Sequence, residues 1–199
     1  MPAKKPQIDL GPRPADSDSW IETCSEQDVF YRNALTSERE FSFTSIKTFD
    51  GREGEGYSSK VKRGTKVVGE VIDEGNGGSP LVRLNREDHT AFVAEARSFM
   101  PTQPPAEGND EDWGDWSVVE NYAGVLALAS DLNKRRTGVV ITDQDDHRDG
   151  LFYGAYYTLS GTTPADVATT AKYAMRNPEK NPLVWAKAQN RFVPAADLV

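Results

Sequence analysis

Two hydrophobic periods organise this chain: apolar side chains alternate between residues 40 and 84, and recur every three or four positions between 118 and 132. Phe41, Phe43 and Phe49 share one parity with Ser45 and Lys47 between them, which predicts a strand over 40–49 with one face partly buried. Gly51, Gly54 and Gly56 break it. Tyr57, Ser59 and Val61 alternate again as a second strand, Arg63-Gly64-Thr65 supplies a short turn, and residues 66–72 alternate as a third. Gly75-Asn76-Gly77-Gly78 makes the next turn, ahead of a short fourth strand at 81–84. The stretch from 54 to 84 therefore reads as a β-meander with turns set by glycine.

The second period marks helices. Asn85 is a good N-cap with Glu87 and Asp88 in the first turn, and the helix it opens runs to about Met100, where Pro101 stops it. Val118, Tyr122, Val125, Leu126, Ala129 and Leu132 fall at helical spacing behind a capping box of Ser117 and Glu120. That helix ends in Lys134-Arg135-Arg136, cations at the negative end of the dipole, followed by Gly138. Strands follow at 139–142 and 151–159, the second rich in aromatics, with an exposed hairpin loop over 143–150. Thr163 as N-cap and Pro164 as first helical residue open a third helix, closed by Asn177-Pro178. A last strand at 183–185 resumes at Phe192-Val193, and upstream Ser25 and Asp28 mark the start of a short helix within 20–35. The expected fold is α+β, a mainly antiparallel sheet with about three helices packed on it.

Residues 1–19, with Pro2, Pro6, Pro12 and Pro14 among small and charged residues, read as a flexible tail. Residues 20–199 read as a single domain, or as two lobes, 20–100 and 117–199, joined by the acidic loop 101–116. At 199 residues and 37% hydrophobic content the chain can bury one good core. Its 31 acidic residues against 23 basic ones give a net charge of -8, which argues against affinity won by neutralising phosphates, so no direct nucleic-acid binding is expected. The apolar runs are too short to span a bilayer, and Ala3-Lys4-Lys5 leads into no apolar run of a signal peptide. The single Cys24 excludes an internal disulfide and a cysteine-based zinc site. No cofactor or metal is expected, and the cytoplasm of a bacterial host is the expected compartment.

Candidate chemistry is sparse. The loop holding Asp143, Asp145, Asp146 and His147 offers oxygen ligands, but a calcium-loop template started at Asp145 puts His147 at its third position and Tyr156 where the bidentate acid belongs. With Tyr153 and Tyr156 the same loop forms a candidate small-molecule or nucleotide-signal site, in which the acids would need a cation to tolerate phosphate. Cys24 and His89 have the types of a nucleophile and a base, with no local sequence in support. The glycine runs 51–56 and 75–78 match no phosphate-loop spacing, and Glu53, Glu55, Asp73 and Glu74 would repel an anion. Lys60, Lys62, Arg63 and Lys66 crowd one hairpin end, which fits a solvated edge protected by lysine as well as an acidic partner. The preferred interaction hotspot is Asp110, Glu111, Asp112, Trp113, Asp115 and Trp116, because an exposed tryptophan is costly unless it packs or binds. Docking of those indoles onto the protein's own core is the competing reading.

Gly56-Tyr57, the basic turn at Gly64, Val67-Val68-Gly69 and Gly75-Asn76-Gly77-Gly78, then Leu132-Asn133-Lys134-Arg135-Arg136 and Val139-Val140-Ile141, form a pattern over about residues 40–145. It resembles a module of uncharacterised proteins from bacteriophages, plasmids and bacterial genomes. The resemblance implies a mobile-element origin and no activity; the N-terminal extension and the acidic Trp-bearing loop depart from it. The function expected is that of a non-enzymatic accessory protein acting by stoichiometric binding to a host or viral protein, as an inhibitor or in host takeover, with acidic DNA mimicry as a special case. A ligand-binding protein or metal-dependent enzyme and a virion or assembly component are the alternatives.

Overall fold

In a computed structural model, the described residues are 18–100, 114–142 and 156–199, without the side chains of 18–26. The alternating stretch forms four antiparallel strands in sequence order: β1 (Phe41–Asp50), β2 (Glu55–Arg63), β3 (Lys66–Asp73) and β4 (Leu81–Leu84). Gly64 turns the β2–β3 hairpin at φ +57°, in the left-handed region where glycine carries no Cβ penalty.

β1 does not keep the single parity expected of it. Its pairing with β2 skips from Thr44 opposite Lys60 to Lys47 opposite Ser58, so Ser45 and Ile46 together face Ser59, and Ser45 takes φ +59°. This bulge reverses the faces beyond it. Phe41 and Phe43 point into the core, Ile46 takes over inside, and Phe49 is turned to the other face and is 42% exposed. Its ring lies over the opposite residue Gly56, where a Cβ would sit 2.5 Å from it.

Two helices, α2 (Arg86–Ser98) and α3 (Asp115–Lys134), pack on each other and on the inner face of this sheet, α2 at β4 and α3 at β1; α1 (Asp18–Thr36) lies on α3 and against the second sheet. α1 is longer than the short helix read from the sequence. Its C-terminal half buries Phe30, Tyr31, Ala34 and Leu35, a stripe at the i, i+4 spacing of a packed helix face. Tyr31 reaches α3 at Gly124, where a Cβ would stand 2.0 Å from the tyrosine hydroxyl. α2 is capped as expected, with Asn85 Oδ1 accepting from the Asp88 amide at 2.9 Å. The capping box expected for α3 is not used: the helix starts ahead of Ser117 with Gly114 as N-cap, and Glu120 accepts instead from Ser79 Oγ at 2.8 Å.

The second sheet has the order β6-β5-β7-β8, all antiparallel, from β5 (Gly138–Ile141), β6 (Tyr157–Leu159), β7 (Leu183–Ala186) and β8 (Arg191–Pro194). α4 (Val167–Ala174) packs on β5 and β7 and starts one turn later than Thr163 promised. Asp166 is its cap, accepting from the Thr169 amide at 3.0 Å, while Thr163 Oγ1 accepts from the Asp166 amide at 3.2 Å. Gly138 opens β5 instead of closing α3. Four helices and two four-stranded antiparallel sheets make the α+β fold expected, with the helix within 20–35 among the four.

The main apolar cluster draws on both sheets. Phe41, Val61 and Val71 from the first share it with Val139, Ile141, Trp185 and Phe192 from the second. Polar groups cross the same boundary: Asn133 of α3 donates to Asn190 Oδ1 at 2.7 Å and accepts from the Trp185 indole N–H at 3.0 Å. The Asn190 carbonyl accepts from Arg39, which also donates to the Ala34 carbonyl. Glu95 joins α2 to β1 and α3, accepting from the Phe41 amide at 3.3 Å, from the Glu40 amide and from the Tyr122 hydroxyl.

Candidate functional site

Of the acid-and-tryptophan stretch, Asp110, Glu111, Asp112 and Trp113 lie outside the described residues; Asp115 and Trp116 form the first turn of α3. Asp115 belongs there because a carboxylate favours the positive end of the helix. It is also held by Arg97 at the end of α2, whose Nε and Nη2 donate to its Oδ1 at 3.0 and 2.6 Å. Both partners are exposed, so the pair orients the turn more than it stabilises the fold. Trp116 is different. It is 68% exposed, and one edge of its indole lies beside Gly114, where a Cβ would be 3.2 Å from Cδ1 and Nε1.

The alternative site is described at one residue. Asp143, Asp145, Asp146, His147 and Tyr153 fall outside the described residues, and so does most of the strand expected over 151–159. Tyr156 donates its hydroxyl to Asp131 Oδ2 at 3.4 Å, and the Arg135 guanidinium sits 5.2 Å from its ring centroid. Arg135 Nε in turn donates to the same Asp131 oxygen at 3.1 Å. Burial is the main cause that pushes the Tyr156 hydroxyl above its ordinary value. Hydroxyl and ring face are thus both occupied by α3. Trp116 and Asp131 are fifteen residues apart on that helix, roughly 22 Å at its rise per residue, so the two candidates are separate places.

The remaining candidates resolve into structure. The two glycine loops lock together through main chain: the Gly51 amide donates to Gly54 O at 2.7 Å and the Glu53 amide to Gly75 O at 2.8 Å. The Gly75 and Gly78 amides donate to Asp73 and Asn76 side chains at 2.9 and 3.1 Å. These four donors are spent inside the loops and cannot cradle a phosphate. In the basic hairpin, Lys60 pairs with Glu70 at 3.0 Å, and Arg63 with Glu40 and Asp88 at 2.9 and 3.2 Å. His89 is exposed in the first turn of α2, and the Cys24 side chain lies outside the description. Among the described residues no three His, Cys, Asp or Glu side chains gather where a metal ion could sit. None of the described helices is long and apolar enough to cross a membrane.

The sequence reading missed the outer face of the first sheet. Its signal was the run of Ser, Lys, Glu and Arg at outward parity, and the bulge at Ser45 hid the fact that Lys47 and Phe49 join it. No protein-family model, no curated protein and no solved structure matches the chain.

Proposed function

We propose that this protein is a non-enzymatic accessory protein, of a bacteriophage or other mobile element and working in the bacterial cytoplasm, that binds another protein stoichiometrically through the N-terminal end of α3. The observation that carries this reading is Trp116, 68% exposed on the first turn of a 20-residue helix whose other face is fixed in the core. A large side chain held outward on a rigid element loses little freedom when a partner covers it, which is the property of an interface anchor. Asp115 beside it, and Glu107, Asp110, Glu111 and Asp112 just upstream in sequence, favour a partner with an apolar pocket rimmed by lysine or arginine.

The ligand-binding alternative has less behind it, since Tyr156 has both its hydroxyl and its ring engaged by α3. Affinity capture from a bacterial lysate by the wild-type chain and by Trp116→Ala, read by mass spectrometry, tests the proposal. One protein enriched by the wild type and lost with the substitution is the expected result; equal capture by both would remove Trp116 from the interface.

A further inference from the structure

Of the asparagines in this chain, Asn76 alone precedes a glycine. Asn33, Asn121 and Asn133 sit inside helices, where the next amide is committed to the helix ladder, and Asn177 and Asn181 precede prolines, whose nitrogen carries no hydrogen. Asn76 lies in the turn between β3 and β4, and it, Gly77 and Gly78 are all exposed. Its Oδ1 accepts from the Gly78 amide at 3.1 Å, and its Nδ2 donates to Glu74 Oε2 at 3.0 Å. The first of these bonds closes a small ring from side chain to main chain that runs through the Gly77 nitrogen. It holds that nitrogen in the same ring as the Asn76 carboxamide carbon and draws electron density from the carbon. The Gly77 N–H itself makes no hydrogen bond among the described residues, unlike those of Gly75 and Gly78. Glycine at 77 is required by the fold: φ is +76°, and a Cβ would stand 2.7 Å from Glu53 Oε2. The neighbour least able to shield a labile side-chain amide is therefore the one this turn demands.

We infer that Asn76 is a modification site, at which the chain converts itself by loss of ammonia into aspartyl and isoaspartyl forms. The Gly77 nitrogen gives its proton to water or hydroxide and attacks the Asn76 carboxamide carbon. The new C–N bond closes a five-membered succinimide, and the bond to Nδ2 breaks, with water supplying the proton that lets the group leave as ammonia. One water then opens the imide. Opening at the side-chain carbonyl gives aspartate; opening at the main-chain carbonyl gives isoaspartate, in which the chain runs through the former side chain. The sum is one water consumed and one ammonia released, with no oxidant and no cofactor. Either product adds one negative charge to a chain of net charge -8, in loops that already hold Glu53 and Glu74. The link from Asn76 to Glu74 becomes a contact of like charges. The aspartyl form keeps an oxygen for the Gly78 amide, whereas isoaspartate lengthens the main chain by one methylene and breaks the ring that the amide closed. The β3–β4 turn thus carries the age of the molecule as charge, and because proton loss from an amide comes first, the rate rises with pH.

The test incubates the full chain at mildly acid and mildly alkaline pH, as wild type and as Asn76→Gln, until a synthetic peptide of residues 71–81 in the same buffer has converted. Anion exchange follows the charge, peptide mapping by mass spectrometry with isoaspartate-specific methylation locates it, and an unchanged circular dichroism spectrum shows that the chain stays folded. The expected result is a more acidic species that grows with time, several-fold faster at the alkaline pH, and maps to Asn76 as a mixture of aspartate and isoaspartate. Asn33, Asn121 and Asn133 stay intact in the same samples. In Asn76→Gln the species is absent, because the longer side chain would have to close a six-membered ring. An Asn76 still intact in the folded chain would overturn the inference, since the turn would then protect the side chain; so would an acidic species that maps only to another asparagine.

Discussion

The middle of α3 and its first turn hold large aromatic side chains in opposite circumstances. In the middle, Tyr122 is fully buried with its ring 4.8 Å from Phe92 and its hydroxyl on Glu95, and the Tyr31 hydroxyl fills the space that Gly124 leaves. At the first turn, Trp116 lies outside the core, 68% exposed, with one edge of its indole beside Gly114. The first kind of aromatic is enclosed by the fold; the second leaves most of its indole exposed among the described residues. That contrast, more than residue type, separates a structural aromatic from a candidate anchor. Tyr156, a candidate site residue in sequence, is half-buried, with its hydroxyl on Asp131 and the Arg135 guanidinium over its ring.

The largest effect that can break the comparison is alkaline titration. Burial pushes the Tyr31 and Tyr122 hydroxyls well above their ordinary value, so both stay protonated while the same groups in the unfolded chain ionise near pH 10. A raised folded-state pKa contributes stability that is full below about pH 10 and is lost as pH rises above it, at about 1.4 kcal/mol per pH unit for each tyrosine. Urea unfolding between pH 8 and 11.5 should show this decline, shallower in Tyr122→Phe and unchanged in Trp116→Ala.

Next in size is Gly124→Ala. Helix propensity alone would make it favourable by about 1 kcal/mol. The clash with the Tyr31 hydroxyl reverses the sign, for an expected loss of about 1–3 kcal/mol in chemical denaturation. Adding Tyr31→Phe should recover much of that loss, since the nearest remaining ring atom is 3.2 Å away. A smaller change is expected for Tyr156→Phe, about 0.5 kcal/mol or less, because the hydrogen bond it deletes is long and partly exposed. Smallest is the effect of Trp116→Ala on stability, within about 0.5 kcal/mol, as for a surface side chain whose removal leaves no cavity. A large destabilisation there would mean that the indole packs on the protein's own core.

The β-meander was legible because its information is local. Alternation and glycine turns fix strands that pair with their sequence neighbours, and β1 to β4 follow the expected bounds to within about two residues at each end. The bulge at Ser45 was not legible, since a serine in the left-handed region leaves no mark in the sequence, and it sends Phe49 outward against its parity. The α1 length was hidden because its buried apolar stripe, Phe30, Tyr31, Ala34 and Leu35, covers only the C-terminal half of the helix. Links such as Asn133 with Asn190 and Arg39 with Asn190 join residues 57 and 151 positions apart, a range at which no pattern reading operates. At the candidate site, residue types pointed to Trp116, and its exposure required the structure: sequence alone left burial in the core and contact with a partner equally open.

The measurement that bears most directly on the account is the affinity of the captured partner protein for three forms of the chain, wild type, Trp116→Ala and Tyr156→Ala, by isothermal titration calorimetry. The account predicts a loss of about 30-fold or more for Trp116→Ala, the scale of an interface anchor, with Tyr156→Ala within about twofold of wild type. Unchanged affinity for Trp116→Ala, or the larger loss at Tyr156, would contradict it.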